Sequence, residues 1–460
     1  MAQKKDWNGK RVVILGGARQ GQAAARWLAH HGAIVTVNDR RSAAEMSAAR
    51  SALANSSVNW VLGSHPLELL DQTDILCISG GVPLDNPLVA GAMEHGIPLT
   101  NDTQIFMEVA PCRTVGITGS AGKTTTTTLV GQMAKKADAD KTFVGGNIGD
   151  PLLNYVDGMA PETLAILEIS SFQLEQMTVS PDVAAILNIT PNHLDRHGTM
   201  DAYTSAKRRI LEFQRADGIA ILNRDDAGSW NLVRNVNGRL VSFGAGAFSG
   251  KQDGTFLADD TLHLRQRGLE IPLVRRDQIQ LRGAHNLMNV LAAFAIGYAA
   301  SIPLKAMISA AEEFHGVAHR LEYVREWHGA QWYNDSIATA PERTLAAINS
   351  FNEPIVLLLG GLDKNLPWED LAGVVRQRVE HVVIFGEAAE KISSALDRAV
   401  GPLPLSVSRC KDLHEAVLAA AQVASPGSIV LLSPGGTSFD QFYDFEERGK
   451  AFRKWVSELS

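Results

Sequence analysis

A chain of 460 residues with 45% hydrophobic and 20% charged side chains can bury about three domain cores and is too mixed to be fibrous or disordered. Its net charge of -7 argues against a nucleic-acid partner, which needs clustered Lys and Arg, but leaves room for a local anion site. Cys77, Cys112 and Cys410 stand far apart without a CxxC pair, which excludes a disulfide framework and fits a reducing compartment.

Met1–Trp7 has no apolar segment of the secretion-signal kind, and the longest apolar stretch, Leu291–Ala300, is too short to cross a bilayer. The expectation is a cytoplasmic protein without membrane insertion. Strand-like apolar runs alternate with helical patterns from end to end, which predicts an α/β protein of parallel sheets covered by helices. Val12–Leu15 reads as a strand entering a glycine turn, followed by a helix over Gln22–His31 and a strand from Ile34 that ends at Asp39. Strands at Ile75–Ile78 and Pro98–Thr100 complete a Rossmann-like unit over residues 1–101. Thr114–Thr118 opens a central, P-loop-like unit with further strands at Leu164–Ile169, Ala184–Ile189 and Ile219–Leu222. From about Leu240 to Val274, short segments between Gly, Asp and Asn turns predict a small antiparallel extension, and an Ala-rich helix follows over Asn286–Ala300. Phe314–Val317 reads as a linker, so the central domain spans 102–316. Strands at Ile355–Leu359, His381–Phe385 and Ser428–Leu432 predict a second Rossmann-like domain over 317–460. No repeat is present, which excludes a solenoid.

Two glycine loops carry the chemistry. Gly119-Ser120-Ala121-Gly122-Lys123-Thr124 lies between a predicted strand and helix, where backbone N–H groups and the helix N-terminus bind phosphate. Lys123 can reach the β- and γ-phosphates of ATP, and the Thr124 hydroxyl can bind Mg²⁺. The loop is a shortened form, since the full Walker spacing needs glycine where Ile117 stands. The alternative is a plain helix-capping turn with an incidental lysine. The first loop, Gly16–Gly21, has Asp39 about 20 residues on. It fits a dinucleotide cofactor, any pyrophosphate-linked nucleoside, or a simple turn.

Glu168 ends a strand downstream of the phosphate loop, where carboxylates commonly hold Mg²⁺. His193 follows the next strand and projects toward the same crevice. Tyr203, Lys207, Ile210 and Gln214 share one helical face. A lysine there has a desolvated stem, which lowers its pKa and favours a neutral amine. Periodicity alone favours instead a lysine that snorkels from the edge of the face.

Gly119–Thr124, Gly145–Gly149, Leu167–Glu175 with its SSFQLE run, and Asn192–Arg196 together resemble the central domain of the Mur ligases. Ser438–Phe442 and Phe445–Gly449 extend the resemblance over the whole chain, toward the branch that adds D-glutamate to UDP-N-acetylmuramoyl-L-alanine. The resemblance implies an ATP-dependent amide-bond ligase of peptidoglycan synthesis, working as a monomer through an acyl phosphate with two Mg²⁺ ions. Lys123, Glu168, His193, Lys207 and Arg320 would be catalytic. Thr124, Glu168, His193 and Lys207 would place the metals, Lys207 as a carbamate. Gly119, Ser120, Ala121, Gly122, Thr125, Asn289 and Asp335 would join Lys123, Thr124 and Arg320 around ATP. Arg19, Gln20, Asp39, Arg40, Ser79, Gly80, Asn147 and His193 would hold the UDP-linked substrate, and Thr339, Lys364, Ser438 and Phe445 the incoming amino acid. Three positions depart from the family pattern: Ile337 replaces a lysine, Gly80 a proline, and Ser433–Thr437 a less glycine-rich loop. The first leaves L-glutamate as an alternative amino acid. An NAD-dependent oxidoreductase would use Gly16–Asp39 but leave Glu168 and Lys207 without a task, and a P-loop switch protein would predict slow hydrolysis with a macromolecular partner.

Overall fold

The computed structural model describes residues 6–246, 252–401 and 405–460. The chain separates into two compact units, one of residues up to 278 with 288–312, the other of 279–287 with 313–460.

The first unit holds two sheets. β1 (Arg11–Leu15), β2 (Ile34–Asp39), β3 (Val58–Leu62), β4 (Ile75–Ile78) and β5 (Leu99–Thr100) form a parallel sheet in the order β3-β2-β1-β4-β5. The order reverses direction at β1, so the loops after β1 and β4 open a crevice at the carboxyl edge. The helix after β1 begins at Arg19, earlier than the expected Gln22, which places Arg19, Gln20 and Gly21 in its first turn. A Cβ on Gly21 would sit 1.9 Å from the Gly16 carbonyl oxygen, so only glycine lets the helix start this close to the strand end.

The second sheet is built from β6 (Arg113–Thr118), β7 (Thr142–Gly146), β8 (Leu164–Glu168), β9 (Val183–Ile186), β10 (Ile219–Asn223), β11 (Arg239–Phe243), β12 (Asp253–Ala258), β13 (Thr261–Gln266) and β14 (Leu269–Arg275). Their order is β14-β13-β12-β11-β10-β9-β6-β8-β7. The expected antiparallel extension is smaller than the composition suggested: β11 and β12 pair in parallel, and only β12, β13 and β14 run antiparallel. β9 ends at Ile186 rather than Ile189, which leaves Leu187–His193 as a longer loop over the sheet edge. Ile14 and Val37 of the first sheet and Leu28 of the helix Arg19–His30 belong to one apolar core with Ile105, Leu153, Leu167 and Ile186.

In the second unit β15 (Glu322–Trp327), β16 (Ala330–Asn334), β17 (Ile355–Gly360), β18 (Val379–Phe385), β19 (Ser406–Arg409) and β20 (Ile429–Gly435) follow the order β15-β16-β20-β17-β18-β19. β15 pairs antiparallel with β16 and the remaining pairs are parallel. The β15–β16 hairpin was missed because Glu322–Trp327 carries Glu322, Arg325 and Glu326 and buries none of its residues fully, instead of forming the continuous apolar run of a central strand. Apolar cores lie on both faces of this sheet, around Leu357, Leu359 and Ile384 on one and Val356, Leu358 and Phe452 on the other.

Candidate active site

β6 lies between β8 and β9, so the loop leaving β6 is flanked by the ends of the strands that carry Glu168 and lead to His193. Helix Lys123–Ala137 begins at this loop, with Gly122 as N-cap in the left-handed region at φ 83°. A Cβ there would also stand 2.2 Å from Asn289 Oδ1, so glycine is required by conformation and by space. Ser120 and Ala121 are pinned rather than loose. Ser120 N–H donates to the Asn188 carbonyl at 3.0 Å, and Ala121 N–H to Asn188 Oδ1 at 2.8 Å. The Ser120 hydroxyl donates to the Thr190 carbonyl at 2.9 Å and accepts from the Tyr203 hydroxyl at 3.0 Å. Lys123 folds its ammonium over its own loop, donating to the Gly119 carbonyl at 2.9 Å. Thr125 is buried in the first turn of the helix.

Glu168 is 2% exposed and fixed at both oxygens. Its Oε2 accepts from the Thr124 hydroxyl at 2.8 Å and its Oε1 from Asn147 Nδ2 at 2.9 Å. Register explains the meeting: Glu168 pairs with Ile117 on β6 and with Gly146 on β7, so Asn147, which follows Gly146, arrives beside it. A carboxylate and a hydroxyl within one hydrogen bond, beside a glycine loop, are the oxygen donors Mg²⁺ takes when phosphate and water complete its shell. Among the described residues no group of three His, Cys, Asp or Glu side chains converges.

Lys207 sits on helix Met200–Glu212, whose N-cap Thr199 accepts from Ala202 N–H. At 1% exposure it is buried together with Tyr203 and Ile210, so this helical face is an interior one and the snorkelling alternative is excluded; Gln214, also buried, lies beyond the end of the helix rather than on that face. Its Nζ donates to the Gly119 carbonyl at 3.0 Å and lies 3.4 Å from Thr118 Oγ1. Burial first, then the charge of Lys123, hold its pKa well below the ordinary lysine value, with Glu168 acting the other way. His193 adopts φ 53° at the head of a short helix and meets the Phe172 ring edge-on at 5.2 Å.

Among the residues expected around the UDP group, Asp39 is buried and does local work. It accepts from Gly17 N–H at 2.9 Å and forms an ion pair with Arg41 at 2.7 Å. Burial opposes its charge, but the Arg41 guanidinium and the Arg41 and Gly17 amides outweigh that and hold its carboxyl well below the usual range. Ser79 donates its hydroxyl to the Gly16 carbonyl at 2.8 Å, which brings Gly80 beside the first glycine loop. Arg19 and Arg40 are exposed and Gln20 is half-buried.

In the second unit the expected residues gather at the carboxyl ends of β16, β17 and β20. Asp335 is buried, accepting from the Ser433 hydroxyl at 2.9 Å and from Leu321 N–H at 3.2 Å. Burial pushes its carboxyl up to about 7 against the pull of Ser433, Leu321 and Arg320. Arg320 is half-buried in a turn between His319 and Leu321, both at positive φ. Ser438 is buried after β20, while Lys364 is exposed after β17 and Thr339 half-buried after β16. Phe445 opens the last helix, and its carbonyl accepts from the Ser336 hydroxyl at 2.8 Å.

Arg448 was overlooked, although it stands in the quoted Phe445–Gly449 run. It is fully buried and forks onto the Ser336 hydroxyl, the Ser336 carbonyl and the Gly436 carbonyl at 3.0, 2.8 and 3.1 Å. Burial pushes its pKa down to about 10, with Asp440 and Asp335 acting the other way. Its fork locks together the loops that bear Ser336 and Ser438. Asn188, which orders the phosphate loop, was also missed. Its signal was its place just past an apolar strand on the sheet edge.

Known proteins resemble this chain domain by domain. Residues 10–101 match the N-terminal domain described as Mur ligase MurD-like, 117–297 the Mur ligase middle domain, and 319–436 the Mur ligase glutamate ligase domain. The chain is 38% identical over 453 residues to the UDP-N-acetylmuramoylalanine--D-glutamate ligase of Symbiobacterium thermophilum, covering 98% of each chain. It is 38% identical over 456 residues to the ligase of the same name from Koribacter versatilis, covering 99% of each. Among solved structures, the UDP-N-acetylmuramate-alanine ligase of Thermotoga maritima superposes with a TM-score of 0.57 at 18% identity, over 98% of this chain and 100% of that one. At that identity the likeness speaks for the fold. With near-full-length relatives well above 30% identity and all three domain descriptions matched in order, this chain belongs to the Mur ligase family.

Proposed function

We propose that this chain uses ATP and Mg²⁺ to join D-glutamate, through an amide bond, to UDP-N-acetylmuramoyl-L-alanine. The substrate assignment follows the printed names of the full-length relatives. The chemistry is supported best by one observation: the Lys207 amine is buried against the Gly119 carbonyl, inside the loop whose next residues bring Thr124 to Glu168.

Water opposes amide formation, so the carboxylate must be activated first. A substrate carboxylate oxygen attacks the γ-phosphorus of ATP, the bond to the β-γ bridging oxygen breaks, and ADP leaves with an acyl phosphate formed. The glutamate nitrogen then attacks the acyl carbon, phosphate departs, and the nitrogen gives up a proton. Two Mg²⁺ ions would offset phosphoryl charge, held by Thr124, Glu168, His193 and a carbamate on Lys207. The neutral Lys207 amine adds to CO₂ and loses a proton, so that a neutral buried amine becomes a carbamate anion. Lys123 and Arg320 cancel charge on the transferring group, while Gly119–Thr125, Asn289 and Asp335 hold the nucleotide. Arg19, Gln20, Asp39, Arg40, Ser79, Gly80 and Asn147 hold the UDP-linked substrate, and Thr339, Lys364, Ser438 and Phe445 the amino acid. In this division residues 1–101 bind the UDP group, 102–316 ATP and 317–460 glutamate. The working species is a cytoplasmic monomer, since ATP and UDP-linked sugars are made in that compartment; no helix among the described residues is long and apolar enough to cross a membrane.

The test supplies ATP, Mg²⁺ and UDP-N-acetylmuramoyl-L-alanine and follows ADP release with D-glutamate, L-glutamate or other amino acids. Release that depends on D-glutamate supports the assignment, and a preference for L-glutamate would overturn its stereochemistry.

A further inference from the structure

Arg196 lies in the short helix Leu194–His197 that His193 heads, but reaches elsewhere. Its Nη1 and Nη2 donate to the carbonyls of Gly80 and Val82 at 3.2 and 2.6 Å, while its guanidinium carbon lies 3.8 Å from the centre of the Phe172 ring. The same ring carries two other groups from this segment. His197 stacks on it at 5.1 Å and 9°, and His193 meets it edge-on at 5.2 Å. His197 is itself fixed, with Nε2 3.0 Å from the Ser171 hydroxyl and Nδ1 2.7 Å from Glu175. At the far end, Gly80 follows Ser79, whose hydroxyl bonds the Gly16 carbonyl of the first glycine loop. A continuous path therefore runs from that loop, through Ser79–Val82 and Arg196, to Phe172 and His193.

A half-buried guanidinium bonded to two neutral carbonyls is expensive unless its geometry is well defined. The planar fork and the aromatic face supply that definition, which a lysine could not reproduce. We propose that Arg196 is a positioning residue that ties the Ser79–Val82 loop to the placement of His193, so that the UDP-linked substrate and the magnesium nucleotide favour each other's binding. The inference rests on the function proposed above. If Arg196 were only a staple between two loops, its loss would weaken both ligands alike and leave their mutual effect intact. Coupling between sites is reciprocal, so either ligand reports it.

The experiment measures the Kd of UDP-N-acetylmuramoyl-L-alanine by calorimetry, with and without Mg²⁺ and a non-hydrolysable ATP analogue. The wild-type chain is expected to bind about fivefold or more tightly when the nucleotide is present. In Arg196→Ala the two Kd values converge. Arg196→Met, which keeps the aliphatic stem over Phe172, gives the same convergence and guards against a variant that fails to fold. An unchanged ratio in folded Arg196→Met, or a wild-type ratio of one, would overturn the coupling. A wild-type chain that binds no UDP-N-acetylmuramoyl-L-alanine in either condition would overturn the functional reading and the coupling with it.

Discussion

Lys207 and Asp335 are both held in the interior, where burial biases each toward its neutral form. The amine of Lys207 has neutral oxygens for neighbours and a like charge, Lys123, nearby. Removing it should leave the fold intact while costing activity about 100-fold or more, the scale on which preorganised charge groups act. The measurement pairs steady-state turnover of Lys207→Ala with its thermal melt. Added short carboxylic acids should restore part of the turnover by taking the place of the carbamate, and full activity without them would remove the carbamate from the mechanism. Stability should follow pH in a definite sense. The folded chain holds Lys207 less readily protonated than the unfolded chain, so between the two pKa values unfolding takes up a proton and stability rises with pH. Lys207→Met should therefore be at least as stable as the wild type at pH 7.

Asp335 has the opposite sign. Its folded value is about 7 against an ordinary 3.8, so the native state keeps a proton that the unfolded chain releases. Stability on its account is full below about pH 4 and declines as pH rises toward 7, each pH unit between the two values being worth about 1.4 kcal/mol. Asp335→Asn should flatten that decline in urea titrations run across the window. A slope identical to the wild type would mean the carboxyl ionises freely.

At the scale of elements, the start of helix Lys123–Ala137 depends on one glycine. Gly122→Ala meets a left-handed backbone penalty of about 1–2 kcal/mol and a collision with Asn289. Its melting temperature should fall, and Asn289→Ala in the same chain should return the part due to collision while leaving nucleotide binding impaired. A double-mutant cycle separates the two contributions. The parallel strands were readable in the sequence because each is a short apolar run closed by glycine or a polar turn, as in Val12–Leu15 and Ile355–Leu359. The strands that escaped, Val58–Leu62, Thr142–Gly146, the Glu322–Asn334 hairpin and Ser406–Arg409, are half-exposed or rich in glycine and polar residues. Their pairing comes from neighbours, not from their own pattern. The candidate site divides in the same way. Glu168 was legible from its strand-end position, whereas periodicity alone pointed to a snorkelling Lys207 and only the family resemblance singled it out. Arg448, Asn188 and Arg196 act by bonding backbone carbonyls or amides of distant segments, and no local spacing announces such a partner.

Across the whole molecule, activation and amide formation are useful only in sequence, since an acyl phosphate exposed to water is lost. ADP release should therefore need both the UDP-linked substrate and glutamate, with either alone giving a few per cent of the full rate at most. A coupled assay with each component omitted in turn checks this, and steady ATP hydrolysis by the chain alone would favour a nucleotide switch.

The placement of β6 between β8 and β9 has an evolutionary corollary. Because a strand alternates its side chains from face to face, adding or removing one residue within β8 would swing its terminal carboxylate to the far side of the sheet. Exposed connections such as residues 138–141, between helix Lys123–Ala137 and β7, are under no such parity rule. Length variation among descendants of this chain should therefore collect in those connections, and the three central strands should keep their residue counts fixed.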